Sequence, residues 1–189
     1  MPPKCKFKRE EIIAAALDLT REEGFSSVTA RAIGARLGSS SKVIFSLFQN
    51  MEEVQQEVLK AANALYQNYL KEDMTSGRYP AYKASGMAYI RFAKEQKELF
   101  KLLFMRDRSD EVLTNDTKEV KPLLQIIQKN TGMNEQDAYI FHLEMWVYVH
   151  GIAAMIATGY LEWNWELISK MLSDSYFGIL TRFQTREVQ

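Results

Sequence analysis

Apolar residues recur at intervals of three and four positions along almost the whole chain, which is the periodicity of amphipathic helices. No run alternates apolar and polar residues between turn residues, so the pattern predicts no strands. Breaks that contain Asn, Gly or Asp divide the periodic runs into about nine helices without an internal repeat. The sequence therefore predicts an all-α fold.

Three helices, two of them very short, precede a long one in the N-terminal part of the chain. The first runs through "FKREEIIAAALDLTREE" and ends at Gly24, in the manner of a Schellman-type stop. Thr29 is a suitable N-cap for the second, where Val28 and Ile33 have the spacing of a hydrophobic staple. Gly38 then ends this second helix after about two turns. A helix this short buries few side chains by itself. Its exposed side chains, rather than a contribution to the core, are therefore expected to explain its presence.

The second and third helices have the layout of a helix-turn-helix, in which the second of the pair enters the major groove of DNA. The third helix begins within Ser39–Ser41 and turns Ile44 and Phe48 inward. Gly34 costs its helix about 1 kcal/mol relative to alanine, so we expect a neighbouring segment to cross too closely for a Cβ. Short outward hydroxyls suit a helix that lies deep in the groove. The residues predicted to contact DNA are Lys8, Thr29, Arg31, Ser40, Ser41, Lys42, Phe45 and Ser46.

The long fourth helix separates two predicted domains. Asn50 is expected to cap it, with Glu53 at the spacing of a capping box. The helix extends to about residue 73, where "MTSGRYPAY" breaks the periodic pattern. We predict a helix-turn-helix domain over residues 1–50 and a larger helical domain over residues 51–189, connected by the helix at about 51–73.

Charge is distributed unevenly although the net charge of the chain is zero. Residues 1–50 carry eight Lys or Arg and five Asp or Glu, which gives this part a charge of +3. Such asymmetry suits an anionic partner for the N-terminal part, and it equally suits a solvated face of mixed charge.

Composition limits the other classes of protein. With 47% hydrophobic and 25% charged residues, and only 4 Pro and 9 Gly, the chain is typical of globular proteins. A single cysteine, Cys5, leaves no disulfide framework and suits a reducing compartment. The N-terminus lacks the apolar core of a signal peptide. We therefore predict a cytoplasmic protein without a cofactor.

One segment, Met145–Leu161, contains no Asp, Glu, Lys or Arg. Its length is at the short limit of a membrane-spanning helix, which needs about 17–25 residues. It also contains His150, Thr158 and two glycines, so we favour a helix buried between subunits over a membrane span.

The last two long helices contain more apolar residues than one face of a monomer would bury. A helix-turn-helix protein binds two half-sites about 34–36 Å apart, which requires a dimer. We predict that these helices form a four-helix bundle with a second copy, the alternative being a larger core within one chain. The residues assigned to the dimer interface are Met145, Val149, Ile152, Leu167, Met171 and Ile179.

Aromatic residues and methionines of the C-terminal part suit an adaptable cavity for a small apolar or aromatic molecule. The same residue types at helical spacing also suit an ordinary core. His142 and His150 lie eight residues apart on one helix, about 12 Å at about 1.5 Å per residue, so they do not share a metal ion and no metal site is predicted. The ligand-binding candidates are Tyr66, Tyr89, Phe92, Phe104, Trp146 and His150.

The segment from about residue 8 to 60 resembles the N-terminal domain of the tetracycline-repressor (TetR) family of bacterial transcription regulators. The resemblance is carried by "EEGFSSVTARAIGARLG" followed by "IFSLFQNMEEV". Four positions depart from the family pattern. Phe45 stands where Tyr is common and Met51 where Lys is usual, which removes two contacts to phosphate. Gly34 replaces Ala, and Lys42 replaces a small residue.

A looser resemblance links "FAKEQKELFKLLF" and "MWVYVHGIAAM" to the effector domain of one branch of that family, named for its Trp, His and Gly residues. The matching positions are Trp146, His150 and Gly151. The resemblance implies a homodimeric repressor that a small-molecule effector releases from a palindromic, double-stranded DNA operator. In the family the effector tilts the fourth helix and spreads the DNA-binding heads.

Two other classes compete with this hypothesis, namely an all-α enzyme and a helical adaptor without DNA contact. The sequence lacks a His-x-x-x-His pair, a glycine-rich phosphate loop and a cluster of acids, so enzymatic chemistry is not predicted. A salt-sensitive interaction with DNA distinguishes the regulator from both alternatives.

Overall fold

The structure, a computed structural model, describes residues 7–107 and 116–186. Within these residues the chain forms nine α-helices, a single 3-10 turn at Phe25–Ser27 and no strand, which confirms the all-α prediction. The helices are α1 (Arg9–Glu23), α2 (Ala30–Arg36), α3 (Lys42–Phe45), α4 (Met51–Thr75), α5 (Ala81–Glu95), α6 (Lys97–Phe104), α7 (Asp116–Thr131), α8 (Glu135–Ala157) and α9 (Trp165–Arg186).

Packing divides the helices into two units. The first contains α1, α2, α3, the first part of α4 up to Asn68, and α6. The second contains the end of α4 together with α5, α7, α8 and α9. Because α4 is continuous through this division, it belongs to both units. The functional boundary expected at residue 50 stays a prediction.

The first unit is closed by apolar side chains that every one of its helices contributes. α1 contacts both α2 and α6, and α2 contacts α3. Burial of these side chains, rather than helix propensity, stabilises segments as short as α2 and α3. The fully buried residues include Ile12 and Ala16 of α1, Ile33 of α2, Ile44 of α3, Val54 and Val58 of α4, and Leu99 and Phe100 of α6.

Side chains cap the N-termini of α2 and α4 at the residues that the sequence predicted. The Thr29 hydroxyl accepts a hydrogen bond from the Ala32 amide at 3.2 Å, as expected of an N-cap. The Asn50 side chain likewise accepts from the Glu53 amide at 2.8 Å. The Glu53 carboxylate accepts from the Gln49 amide at 2.7 Å. This bond is displaced by one residue from the Asn50 amide that a regular capping box uses.

Gly34 lies where the segment leading into α3 crosses α2. A Cβ at this position would lie 3.0 Å from the Ser40 carbonyl carbon and 3.0 Å from the Ser41 amide nitrogen. The Ser39 amide also donates to the Gly34 carbonyl at 2.8 Å. The expected close approach is therefore present, and it is made by backbone atoms that cannot rotate away.

The second unit has its own aromatic core. Phe141 of α8 is fully buried and lies edge-on to Tyr176 and near Phe183, both of α9, at centroid distances of 5.2 and 6.1 Å. Among the described residues, α8 alone is long and apolar enough to span a membrane on length and composition, and 44% of its most apolar window is buried in the chain. α7 and α9 pack against this helix, and α5 also contacts it through Tyr82 and Tyr89.

We predict that Gly34→Val destabilises the protein by about 1–3 kcal/mol, because its methyl groups force the backbone of Ser40 and Ser41 away from α2. The measurement is chemical unfolding followed by circular dichroism. Ala35→Val is the matched control, since Ala35 is exposed on the same helix. Equal stability of the two variants would contradict a close packing at Gly34.

Candidate nucleic-acid interface

The short helix α3 separates a buried face from an exposed one. Ile44 and the following Phe48 are buried, at 0% and 3% exposure. On the opposite side Ser40, Lys42, Phe45 and Ser46 are exposed, while Ser41, the N-cap residue, is half-buried. The sequence therefore assigned Ile44 and Phe48 inward correctly, and of the positions expected to face outward only Ser41 is half-buried. This exposed side is called the recognition face below and consists of Ser40, Ser41, Lys42, Phe45 and Ser46.

Cations near the recognition face fall into two groups. Arg36 pairs with Glu22, and Arg9 pairs with Glu53 at 2.8 Å. Arg31, at the start of α2, and Lys42 are exposed, and in the described part of the chain neither forms an ion pair. Positive charge is therefore available to an external anion at the two positions where the sequence predicted contact with DNA.

The other predicted contact residues differ in how free their polar atoms are. Lys8 and Thr29 are exposed just before α1 and α2, respectively. The Lys8 ammonium makes no ion pair with the described residues, whereas the Thr29 hydroxyl already accepts the capping bond. The Ser46 hydroxyl donates to the Val43 carbonyl at 2.7 Å, within its own helix. The proton of the Ser46 hydroxyl is therefore used within the chain.

Arg9 ties the end of α3 to the start of α4, and sequence reasoning missed it. Its guanidinium donates to the Leu47 carbonyl at 2.6 Å and to the Glu53 carboxylate at 2.8 Å. It also lies over the Phe48 ring, 4.0 Å from the centroid. A cation beside the last carbonyls of a helix also stabilises the negative end of its dipole. Leu47 and Glu53 lie about forty positions from Arg9, so no local sequence pattern predicts this contact.

Glu53 completes this connection between the helices. The hydrogen bond from the Gln49 amide, and after it the bond from Arg9, lower the pKa of Glu53 below its ordinary value of 4.5. The carboxylate is therefore ionised wherever DNA binding is measured near neutral pH. Arg9 and Glu53 also border an open cleft of about 330 Å³ at the end of α3. The cleft is lined by Arg9, Phe45, Ser46, Leu47, Phe48, Gln49 and Glu53.

Comparison with known families agrees with this geometry. Residues 12–58 match the model of bacterial regulatory proteins of the tetR family, and residues 82–172 match that of the tetracyclin repressor-like C-terminal domain. The chain belongs to the TetR family. A search of curated proteins found no match. The TetR-family match spans α1 to α3 and the start of α4, so the recognition face belongs to a DNA-binding transcriptional regulator.

The matched C-terminal model is that of TetR-like regulators in general and does not name the Trp-His-Gly branch. That branch stays a prediction. Its three marker residues lie on α8, where Trp146 stacks on His150 with ring centroids 5.3 Å apart and Gly151 is half-buried.

Two tyrosine–histidine pairs join α5 to α8 in the second unit. The hydroxyl of Tyr82 lies 3.1 Å from Nδ1 of His142, and the hydroxyl of Tyr89 lies 2.8 Å from Nδ1 of His150. Burial raises the pKa of Tyr82 and lowers the pKa of both histidines. The uncharged forms are therefore favoured, and each pair shares one hydrogen bond between the tyrosine hydroxyl and Nδ1 of the neutral imidazole, with a direction that the tautomer sets.

The six ligand-binding candidates are distributed over both units of this TetR-family chain. Tyr66 and Phe104 contact each other edge-on in the first unit, at a centroid distance of 5.1 Å. The other four lie in the second unit, where Tyr89 and Phe92 are buried and Trp146 is 43% exposed. A cavity lined by these side chains stays a prediction.

The residues assigned to the dimer interface differ in burial. Met145, Val149 and Ile152 of α8 are covered by the chain's own helices, so they are not available to a second copy. Of the α9 residues, Leu167 is exposed, whereas Met171 and Ile179 are half-buried. The α8 assignment needed correction because apolar residues surround this helix, and periodicity did not distinguish the inner face from the outer one.

We predict that Arg9→Gln weakens binding to DNA about tenfold, because the end of α3 loses its charge-assisted tie to α1 and α4. The measurement is fluorescence anisotropy with a duplex that the wild-type protein has selected from random sequences. Arg21→Gln is the matched control, since Arg21 also pairs on α1 but does not contact α3. If both variants bind like the wild type, Arg9 does not position α3.

Proposed function

We propose that this TetR-family regulator is a homodimeric repressor that leaves a palindromic operator when a small molecule binds. The observation that carries the proposal is the recognition face, whose polar side chains apart from the half-buried Ser41 are exposed, while Ile44 and Phe48 hold the opposite face against the core. In the proposed complex α3 lies in the major groove. Arg31, Thr29 and Lys8 contact phosphates beside it.

An exposed apolar stripe on α8 supports the dimer. Ile140, Leu143 and Val147 follow one another at intervals of three and four residues, and all three are exposed. Gly151 continues the stripe, and a Cβ there would meet nothing within 4 Å, so another helix can approach closely. Leu167 and Phe177 on α9 are also exposed. A single chain leaves these side chains in water, whereas an isologous contact between two copies buries them.

The proposed dimer interface therefore uses the outer side of α8. It keeps the pairing of the last two helices that the sequence suggested, but it replaces Met145, Val149 and Ile152 by their exposed neighbours on α8. The salt bridge between Arg182 and Glu144, at 2.5 Å, already joins the outer sides of α9 and α8 within one chain. It adds a polar border to the apolar stripe.

The effector is proposed to be a small apolar or aromatic molecule. Tyr89, His150 and Trp146 form a connected group in which a hydroxyl, an imidazole and an indole lie side by side. Such a group offers stacking surface together with one polar contact. The effector would favour a population in which the two DNA-binding heads no longer match the operator, and affinity falls by its differential binding to the two states. The proposed place of action is the cytoplasm.

We predict that Lys42→Ala weakens binding to the selected duplex and lowers the slope of log affinity against log salt by about one, because one phosphate contact is lost. Anisotropy at several salt concentrations measures both quantities. Lys60→Ala is the control, since Lys60 on α4 is exposed but paired with Glu57. An unchanged slope would remove Lys42 from the DNA interface. If the wild-type protein selects no duplex, the helical adaptor becomes the better hypothesis.

We also predict that Val147→Asp converts dimers to monomers at micromolar concentration, because the interface would bury two unpaired carboxylates. Val147 is 64% exposed, so the substitution leaves the fold of one chain intact. Sedimentation velocity measures the oligomeric state, and circular dichroism checks the fold. Met105→Asp, an exposed apolar position outside α8 and α9, is the control. A Val147→Asp variant that still sediments as a dimer would place the interface elsewhere.

A further inference from the structure

Phe45 is an apolar side chain in a place where the fold does not need one. It is 51% exposed, although it follows directly on Ile44, which is fully buried. Ile44 and Phe48 already complete the contact of α3 with the core. Among the described residues, no aromatic or cationic side chain stacks on the Phe45 ring. The ring therefore faces water on the recognition face and is free to contact a ligand.

The chemistry of Phe45 restricts what that ligand is. Its side chain has no polar atom, so it neither donates to a phosphate nor pairs with the polar edge of a base. Its surroundings are the polar part of the face, namely Ser46, whose proton is used within the helix, and Lys42 one turn away. The Phe45 ring is therefore an apolar patch with the hydrogen-bonding groups of Ser46 and Lys42 beside it.

The major groove offers one exposed apolar group, the C5-methyl of thymine. We propose that Phe45 contacts a thymine methyl in each half-site and is a specificity-determining residue of this protein. The inference rests on the proposed function, in which α3 enters the major groove. The open cleft beside Phe45, bordered by Gln49 and Arg9, leaves room for the methyl and the adjacent base edge. The operator is then expected to contain a thymine at one fixed position of each half-site.

Replacement of thymine by deoxyuridine tests the contact, because it removes the methyl group and keeps the base pair. The selected duplex is synthesised with each thymine replaced in turn, at symmetrical positions of both half-sites. The wild-type protein is expected to lose about fourfold in affinity per half-site at one such position. At the remaining positions the loss is expected to be absent. Affinity is measured by anisotropy.

A substitution of Phe45 assigns the effect to this side chain. Phe45→Ala is expected to bind the thymine duplex more weakly and to show no difference between thymine and deoxyuridine at the sensitive position. Measurements at lower salt keep its binding measurable, because affinity rises as salt falls. Ser46→Ala is the matched control on the same face and is expected to retain the difference. Circular dichroism melting verifies that each variant is folded.

The outcomes separate this inference from the function on which it depends. If no duplex is selected, the proposed function fails. If the selected duplex is bound but no deoxyuridine replacement lowers affinity, the thymine contact is overturned while DNA binding stands. The same holds if Phe45→Ala retains the wild-type difference, since another side chain then contacts the methyl.

Discussion

The contact of the α2 backbone with the backbone entering α3 is the constraint on which the DNA-binding surface depends. At Gly34 the two segments approach so closely that even a Cβ would lie 3.0 Å from main-chain atoms. A four-residue helix such as α3 has too few internal hydrogen bonds to hold itself. Its direction is therefore set by what it packs against. Ile44 and Phe48 complete that packing, and their burial determines which side chains remain outside.

The Arg9–Glu53 contact fixes the other end of the same short helix. Arg9 donates to the Leu47 carbonyl, and Glu53 accepts from the Gln49 amide. These two backbone groups after α3 are therefore satisfied by the protein itself. Arg9 and Glu53 also neutralise each other. Positive charge that remains for an external partner is therefore carried by Lys8, Arg31 and Lys42.

Sequence patterns predicted the features that residues close in the chain determine, and they missed the contacts between residues far apart in the chain. The Thr29 cap, the close approach at Gly34 and the inward positions Ile44 and Phe48 follow from spacings of a few residues. The Arg9–Glu53 contact joins positions 44 residues apart, which periodicity does not relate. On α8 apolar residues occur all round the helix, so only packing showed that Met145 points inward and Val147 outward. The sequence alone therefore did not distinguish the buried face of α8 from its exposed face.

The zero net charge and the small recognition face suggest how specificity arises. Among the described residues, Lys8, Arg31 and Lys42 are the exposed N-terminal cations discussed above that form no ion pair, so each DNA-binding domain is expected to make few phosphate contacts and to bind unspecific DNA weakly. Weak general attraction leaves a larger share of the binding to direct contacts with bases, of which an apolar contact by Phe45 is one. In the proposed dimer, two linked DNA-binding domains multiply the small affinity of a single one through their effective concentration. A change that alters the spacing of the two domains in that dimer is therefore expected to remove most of the affinity without altering one contact within a domain.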